Sequence, residues 1–462
     1  MLPPPLPGMH SGPDPLTSSK AIESLAIAPT PALRLLRPFL AFAAKTTSGG
    51  ILLLVCAIAA LLWANSPWAD LYTNLWHTKF SVAFAGRELS HDLHFWVNDL
   101  LMVVFFFVVG LEIKREVLVG ELASVRQASL PIIAALGGVL VPALLFALLN
   151  AKGSGASGWG IPMATDIAFA LGVMALLGDR VPLGLKVFLT ALAIVDDIAA
   201  VLVIAVFYTA QLDWSALVAA AVVLTLLIGA NRLGVRHPLP YVMLGGLLWL
   251  AVLQSGVHAT IAGVALAFTI PAQTTLEPNV FLLYGRSLLD YFERAAKSEK
   301  SVMNDEDQQA AIEALESACE RVQSPLHRME LALYDWVNFL VMPVFAFANA
   351  GVVLGGTAAA AVTHPVSLGV FLGLLIGKPI GITLASWLAV RAGIATLPAG
   401  VTWSHIHAAG WLGGIGFTMA LFVAGLAFES GQLLTMAKLG IFSGSLCAGA
   451  IGSLLLLRIK RS

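Results

Sequence analysis

Charge is scarce in this chain. Only 26 of its 462 residues are Lys or Arg and 27 are Asp or Glu, 11% together, where soluble domains carry about 25%. With 58% hydrophobic residues and a mean hydropathy of +0.87, that scarcity excludes a soluble fold and predicts a polytopic membrane protein. A formal net charge of −1 argues against nucleic acid or an acidic macromolecule as partner. Cysteine is rarer still. Cys56 and Cys447 fall in apolar runs and Cys319 in a polar one, an odd set whose spacing builds neither a disulfide framework nor a metal site. No GxxxxGKS/T phosphate loop occurs, so ATP is not expected to drive transport. The opening MLPPPLPGMHSGPDPLTSS lacks the basic start and adjoining apolar core of a signal peptide. Residues 1–46 read as a disordered cytoplasmic tail, with Arg34, Arg37 and Lys45 approaching the membrane surface.

What the chain has instead is long apolar runs. Twelve are expected to span a bilayer, at about 50–65, 95–113, 130–150, 161–177, 183–208, 214–231, 241–254, 257–270, 331–353, 365–390, 406–428 and 434–457. The count rests on splitting 241–270 at Ser255-Gly256. Residues 47–458 thus read as one transmembrane domain, and 459–462 as a short C-terminus. A polar insertion at 271–328 contains FERAAKSEKSVMNDEDQQAAIEALESACERVQ, which reads as a pair of surface helices. The segment KFSVAFAGREL at 79–89 alternates weakly around Ala85-Gly86 and predicts a small β-hairpin.

Basic residues set the orientation. With the N-terminus inside, twenty-one lysines and arginines fall inside, and only Lys79, Arg87 and Lys152 fall outside. Lys378 and Lys438 remain at or near membrane depth. Both termini are therefore expected in the cytoplasm, with the chain in the inner (cytoplasmic) membrane in contact with lipid.

Acids interrupt the apolar pattern between Gly160 and Tyr208, at Asp166, Asp196 and Asp197. A carboxylate at bilayer depth costs about 2.5–3.5 kcal/mol on insertion scales, so three in two adjacent spans need a reason. Structural carboxylates or a misplaced span would be the plain one. An ion or proton pathway is the functional one, and intramembrane acids usually mark such pathways. An internal echo bears on the choice: GWGIPMATDIAF at 158–169 resembles GWLGGIGFTMAL at 410–421. Each is a Gly-interrupted apolar segment, second in its group of three spans, and the two run in opposite senses. Corresponding broken segments point to an inverted repeat with a midplane site, although glycine-rich packing helices also look alike.

Breaking two helices at depth leaves orphan N–H and C=O groups, with partial positive charge at the half-helix N-termini and negative charge at the C-termini. Asp166 can offset the first and Lys378 the second. Asp196 and Asp197 are neighbours, pointing about 100° apart on a helix, so divided labour is expected: one pairs with Lys378 and the other faces a water-filled funnel. A carboxylate that holds either a proton or a hard cation makes the two compete. Oxygen ligands suit Na⁺ or Li⁺, with the Thr165 hydroxyl able to help. Competition at one site, with alternating access, is sufficient for antiport.

The motifs VGLEIKRE (109–116), ATDIAFALG (164–172), ALAIVDDI (191–198), SGVHATIAG (255–263), FAFANAG (345–351), GKPIG (377–381) and GIGFTM (414–419) resemble those of the NhaA family of Na⁺/H⁺ antiporters. The match covers nearly the whole chain from about residue 50. The resemblance implies an all-α polytopic membrane protein of twelve transmembrane helices, with an inverted-topology repeat and two discontinuous, crossing helices. That family is among those from which the inverted-repeat rule was drawn, so the agreement is not independent support. By the resemblance, Asp197 carries Na⁺, Li⁺ and protons, with Asp196 as a second transient ion ligand and proton-dependent partner of Lys378. Asp166 and Thr165 lie where the broken helices cross, and Asp99 lies near the ion path. The family exchanges one Na⁺ for two H⁺ and is silenced at acidic pH, with Glu112, Arg115, Glu116 and Glu330 in its pH-responsive region. The histidine of its SGVHATIAG motif, here His258, has been linked to pH response, but a lone histidine near a span end is more often a packing residue. Members dimerise through an extracytoplasmic hairpin, which 79–89 would supply. Na⁺, Li⁺ and H⁺ enter as substrates, and no cofactor is expected.

The chain departs from the family in its long 271–328 insertion, its proline-rich tail, and His327 where more basic character is expected. A sodium-coupled symporter of a small organic substrate would need a roomier polar cavity than the few convergent donors provide. A membrane-embedded hydrolase would need two facing acids, and the adjacent Asp196 and Asp197 cannot face each other. A transporter, not an enzyme, is expected.

Overall fold

Hydrocarbon offers no water to backbone N–H and C=O groups, so apolar runs of this length fold as helices, which satisfy those groups internally. The computed structural model describes residues 48–84, 87–209, 212–296, 302–355, 361–428 and 431–459. The expected tail 1–46, the Ala85-Gly86 turn, Lys297, Lys300, Lys460 and Arg461 lie outside them. Helix α1 (Ser48–Ala64) turns by 113° into α2 (Ala69–His77). Strand β1 (Lys79–Phe84) pairs antiparallel with β2 (Arg87–Asp92), Ser81 opposite Ser90, so the ladder runs three residues past the expected 89. There follow α3 (Leu93–Val119), α4 (Val125–Asn150), a 3₁₀ segment (Ala156–Met163), α5 (Ile167–Leu176), α6 (Leu183–Phe207), α7 (Trp214–Arg232), α8 (Pro238–Gln254) and α9 (Thr260–Thr269). The insertion forms α10 (Pro278–Ala296) and α11 (Glu306–Val322). The chain ends with α12 (Pro325–Asn349), α13 (Pro365–Arg391), α14 (Trp403–Gly413), α15 (Phe417–Ala427) and α16 (Gln432–Arg458).

Among the described residues, eight spans are long and apolar enough to cross a membrane, or up to ten if α1 with α2 and α14 with α15 each count once. All twelve expected segments are helical over most of their length. The difference lies in α8 and α9, of 17 and 10 residues. The chain is thus a helical, multi-pass membrane protein, and Leu136, Leu140, Leu144 and Leu148 form an exposed stripe along α4 that suits lipid.

Two expected boundaries are wrong for physical reasons. The span at 161–177 begins earlier, at Ala156, in a 3₁₀ turn that accommodates Pro162. The span at 257–270 is helical only from Thr260, because Gly256 takes a positive φ of 80°. The short α9 stops with its carbonyls bonded: Lys114 Nζ donates to Phe268 O (2.7 Å) and Ile270 O (2.5 Å), and Asn231 Nδ2 to Thr269 O (2.6 Å). At the C-terminus of α12, Tyr72 Oη donates to Phe347 O (2.6 Å).

Without a hydrophobic force between helices in lipid, close packing relies on small residues. Where α4 crosses α13, a Cβ on Gly381 would run into the Gly137 carbonyl. Where α3 crosses α9, a Cβ on Gly263 would meet Val103 O. The first crossing also seats the stem of Lys378, whose Cδ would lie 3.7 Å from a Cβ on Gly138. Gly381→Ala should therefore lower thermal stability by about 1–3 kcal/mol, the usual cost of overpacking. Gly246→Ala, with nothing within 4 Å of the new methyl, should not. Equal melting temperatures of the two purified variants would refute this account of the crossing.

Candidate functional site

The site is assembled at two helix interruptions. The first follows the 3₁₀ segment, where Ala164 to Asp166 are extended before α5 begins. Asp166 is the N-cap of α5 and accepts from Phe169 N at 2.9 Å, the usual reason an Asp starts a helix. The second lies between α14 and α15, at Gly414 to Gly416. Its N-cap is Gly416, which has no side chain to offer, so the α15 amides must be satisfied from elsewhere. They are. Asp166 Oδ2 accepts from Thr418 N (3.1 Å) and Thr418 Oγ1 (2.5 Å), and Ser445 Oγ of α16 accepts from Gly416 N and Phe417 N (both 3.2 Å). The breaks also bond directly, Asp166 N to Ile415 O (2.7 Å) and Thr165 Oγ1 to Gly413 O (2.8 Å). One carboxylate thus faces the positive ends of two half-helices.

Lys378 follows a π-helical turn, Gly373–Gly377, and is fully buried. It is the fourteenth of 27 residues in α13, so its depth is central. Its Nζ donates to Asp196 Oδ2 (2.5 Å) and to Thr165 Oγ1 (2.9 Å). The expected compensation of half-helix C-termini by Lys378 is therefore relayed: ammonium to Thr165, then Thr165 to the Gly413 carbonyl. Asp196 and Asp197 are the fourteenth and fifteenth of 25 residues in α6. Both are 1% exposed. The helical step that turns Asp196 toward Lys378 turns its neighbour away: Asp196 Oδ1 and Asp197 Oδ2 are both buried without a hydrogen-bond partner among the described residues, but only Asp196 has its other oxygen bonded by Lys378. A buried polar atom without a partner is rare enough to need a reason. The charges of Asp196, Glu112, Asp166 and Lys378 all reach Asp197.

The other expected residues divide. Arg115 on α3 faces three carboxylates: Glu116 and Glu330 at 3.2 Å and Glu112 at 4.0 Å, with His327 3.8 Å from Glu330. The structure brings these residues together. Val109 and Ile113 of the same helix pack on Ile194 of α6, which ties it to the site. His258 is half-buried and has no ion pair with these residues. Asp99 is half-buried in the π-helical turn Trp96–Leu101 and makes no hydrogen bond or ion pair with Asp196, Asp197 or Lys378. A cavity of about 870 Å³ opens beside Phe188 and Ala191 of α6 and is lined also by Arg126 and Leu397; Ala191 precedes Asp197 by roughly 9 Å of helix. Thr418 and Ser445 were not singled out from sequence. Thr418 carried a signal, standing in the second half of the echo, whereas Ser445 is one small residue in a long apolar helix.

The geometry fixes which truncations should hurt the fold. Asp166→Ala would strand three donors in the interior, at about 1–3 kcal/mol each, whereas Asp197→Ala strands none, so the first should melt well below the second. Lys378→Ala leaves Asp196 uncompensated, typically a loss of about 3–5 kcal/mol, and should destabilise more than Lys438→Ala. Thermal unfolding of the four purified variants checks both rankings, and a reversal of either contradicts the assigned partners.

Residues 40–456 match the family model described as Na⁺/H⁺ antiporter 1. The chain is 50% identical over 440 residues to the Na⁺/H⁺ antiporter NhaA of Koribacter versatilis, covering 95% of each protein. It is 52% identical to that of Oleidesulfovibrio alaskensis, over 94% of this chain and 96% of the relative. The NhaA of Wolinella succinogenes is 49% identical over 403 residues. A family model spanning nearly the whole chain and relatives at half identity leave one conclusion: the chain belongs to the Na⁺/H⁺ antiporter 1 family.

Proposed function

We propose that this chain exchanges Na⁺, or Li⁺, for H⁺ across the inner membrane by alternating access, and that Asp197 is the group at which cation and proton compete. The observation that carries the reading is the buried mid-helix carboxylate of Asp197, which no described side chain bonds or pairs, beside an Asp196 that also has one unpartnered oxygen but is engaged by Lys378 on the other. An ionised carboxylate there must be neutralised, by a proton or by a hard monovalent cation with oxygen ligands. Either satisfies it, and the two exclude each other. That is the chemical requirement for exchange.

Asp196 and Lys378 supply the second element. When Asp196 takes a proton, the ammonium loses its counter-charge, so cation binding at Asp197 and proton traffic at the pair are coupled through like-charge proximity. A cycle in which both carboxylates take part moves more protons than cations, and we take the exchange to be electrogenic, with two H⁺ entering for each Na⁺ leaving. Asp166 and Thr165 hold the crossing fixed while the surrounding helices move. The Arg115, Glu112, Glu116 and Glu330 cluster, whose Glu112 charge reaches Asp197, is the natural place for pH response. This reading also takes twelve crossings in an inverted repeat, cytoplasmic termini, Asp99 along the ion path, and a homodimer formed through the β1–β2 hairpin. The physiological role would be sodium export and pH homeostasis under salt load.

In proteoliposomes, Asp197→Asn should reduce Na⁺- or Li⁺-dependent proton flux to background while thermal stability stays near that of the parent. The pH gradient, followed with a fluorescent dye after adding Na⁺, is the readout. Undiminished flux from this variant would remove Asp197 from the exchange step.

A further inference from the structure

The cavity of about 870 Å³ lies toward one end of α6, lined by Leu183 to Ala191. On the other side of Asp197, toward the β1–β2 hairpin, the bundle is filled by phenylalanine. Phe106 of α3, Phe345 of α12 and Phe422 of α15 are all buried. The Phe422 ring stands 5.4 Å from that of Phe106 and 6.2 Å, edge on, from that of Phe345, and the Phe105 ring meets Phe106 at 5.2 Å.

Chain direction gives the depth of these rings. Helix α3 starts at the hairpin, and its far end leads into the loop that lines the cavity together with the start of α6. The two helices are therefore antiparallel. Val109 and Ile113 pack on Ile194; three residues toward the hairpin from Val109 is Phe106, and three from Ile194 in the same sense is Asp197, about 4.5 Å in each case. Phe106 thus stands level with Asp197. Phe345 lies one turn inward of Asn349, whose Nδ2 bonds Asn98 Oδ1 (2.7 Å) on the hairpin half of α3. Helix α15 ends on the same side as α6, because Ser157 Oγ donates to Ala427 O (3.2 Å) and Ser157 O accepts from Tyr208 Oη (2.7 Å). Phe422 is about 6 Å along α15 from Thr418, the residue bonded to Asp166. The rings begin at the depth of the exchange site and fill the bundle on the side away from the cavity. This seam differs from the crossings of α3 with α9 and of α4 with α13, where glycines bring backbones together. Ring contacts can part without breaking a hydrogen bond.

We propose that Phe422 is a coupling residue: with Phe106 and Phe345 it forms a dry seal between Asp197 and the hairpin face, and its withdrawal from those two rings opens that face during exchange. The proposal rests on the exchange reading above. Apolar constrictions block ions by excluding water, so with the rings together a proton or Na⁺ at Asp197 leaves only toward the cavity. That one-sidedness ties cation to proton movement. A site open to both faces at once would let each ion run down its own gradient.

An apolar void of ring size stays dry, so the diagnostic substitution is polar. In proteoliposomes free of Na⁺ and Li⁺, Phe422→Ser should dissipate an imposed pH gradient several-fold faster than the parent, and Phe422→Met, which keeps the apolar bulk, should hold it. Phe345→Ser trims the same seal from α12 and should leak in the same sense, which covers a Phe422→Ser chain that does not fold. Gly381→Ala, strained at a crossing outside the seal, should hold the gradient. Retention by both serine variants, a Met variant that leaks like Ser, or an equal leak from Gly381→Ala overturns the proposal. A second arm needs no transport. Asp197→Cys, in a chain with Cys56, Cys319 and Cys447 replaced, is exposed in oriented vesicles to a membrane-impermeant thiol reagent. Adding Phe422→Ser should raise the rate from the hairpin face several-fold and leave the rate from the opposite face unchanged. An unaltered hairpin-face rate, or no reaction there with either residue at 422, overturns the seal. Parent protein with no Na⁺-driven proton flux would instead defeat the exchange reading, and the thiol arm would still decide the role of Phe422.

Discussion

The structure hangs on one carboxylate that terminates two helices. Interrupting a helix inside a membrane is costly because the freed amides find no water, and a glycine cap at α15 makes the problem worse. Asp166 answers it by capping α5, its own helix, and α15, which begins some 250 residues later in the chain. Each interruption is hydrogen-bonded to the other. The crossing is therefore a single object, and Lys378, Thr165 and Ser445 are arranged around it as suppliers of the remaining donors and acceptors.

From that arrangement the three intramembrane acids receive different chemistry from nearly identical side chains. Asp166 is saturated by N–H and O–H donors and is held in place. Asp196 is bonded by an ammonium on one oxygen. Its other oxygen, like Oδ2 of Asp197 one residue further, is satisfied by no described group, but Asp197 is paired with no described lysine or arginine at all. The distinction comes from the 100° step between successive helical residues, which lets one dipeptide present one acid to a fixed cation and the other to a mobile one. Two π-helical turns, before Lys378 and around Asp99, re-aim side chains in the same manner.

Much of this was legible in the sequence because the membrane simplifies the code. Apolar runs located the helices, the echo between 158–169 and 410–421 located both interruptions, and the scarcity of charge made Asp166, Asp196, Asp197 and Lys378 conspicuous. Illegible were features set by contact rather than composition. Ser445 is indistinguishable from any small residue in α16 until its neighbour is known to lack a cap. The relay from Lys378 through Thr165 to the Gly413 carbonyl needs the crossing angle. The short length of α9 follows from the turn at Gly256 and from Lys114, whose bond to carbonyls 154 residues away leaves no local trace.

The insertion carries a consequence of another kind. Its ends are fastened together by main-chain bonds, Leu326 N to Pro271 O at 3.1 Å and Thr275 N and Leu276 N to Arg321 O at 3.0 and 3.1 Å. The chain therefore leaves the bundle and returns to it at one point, however far α10 and α11 extend. Closing a longer excursion adds only a logarithmic entropy term, so this is a position where evolution can lengthen, shorten or exchange a module without re-registering a transmembrane helix.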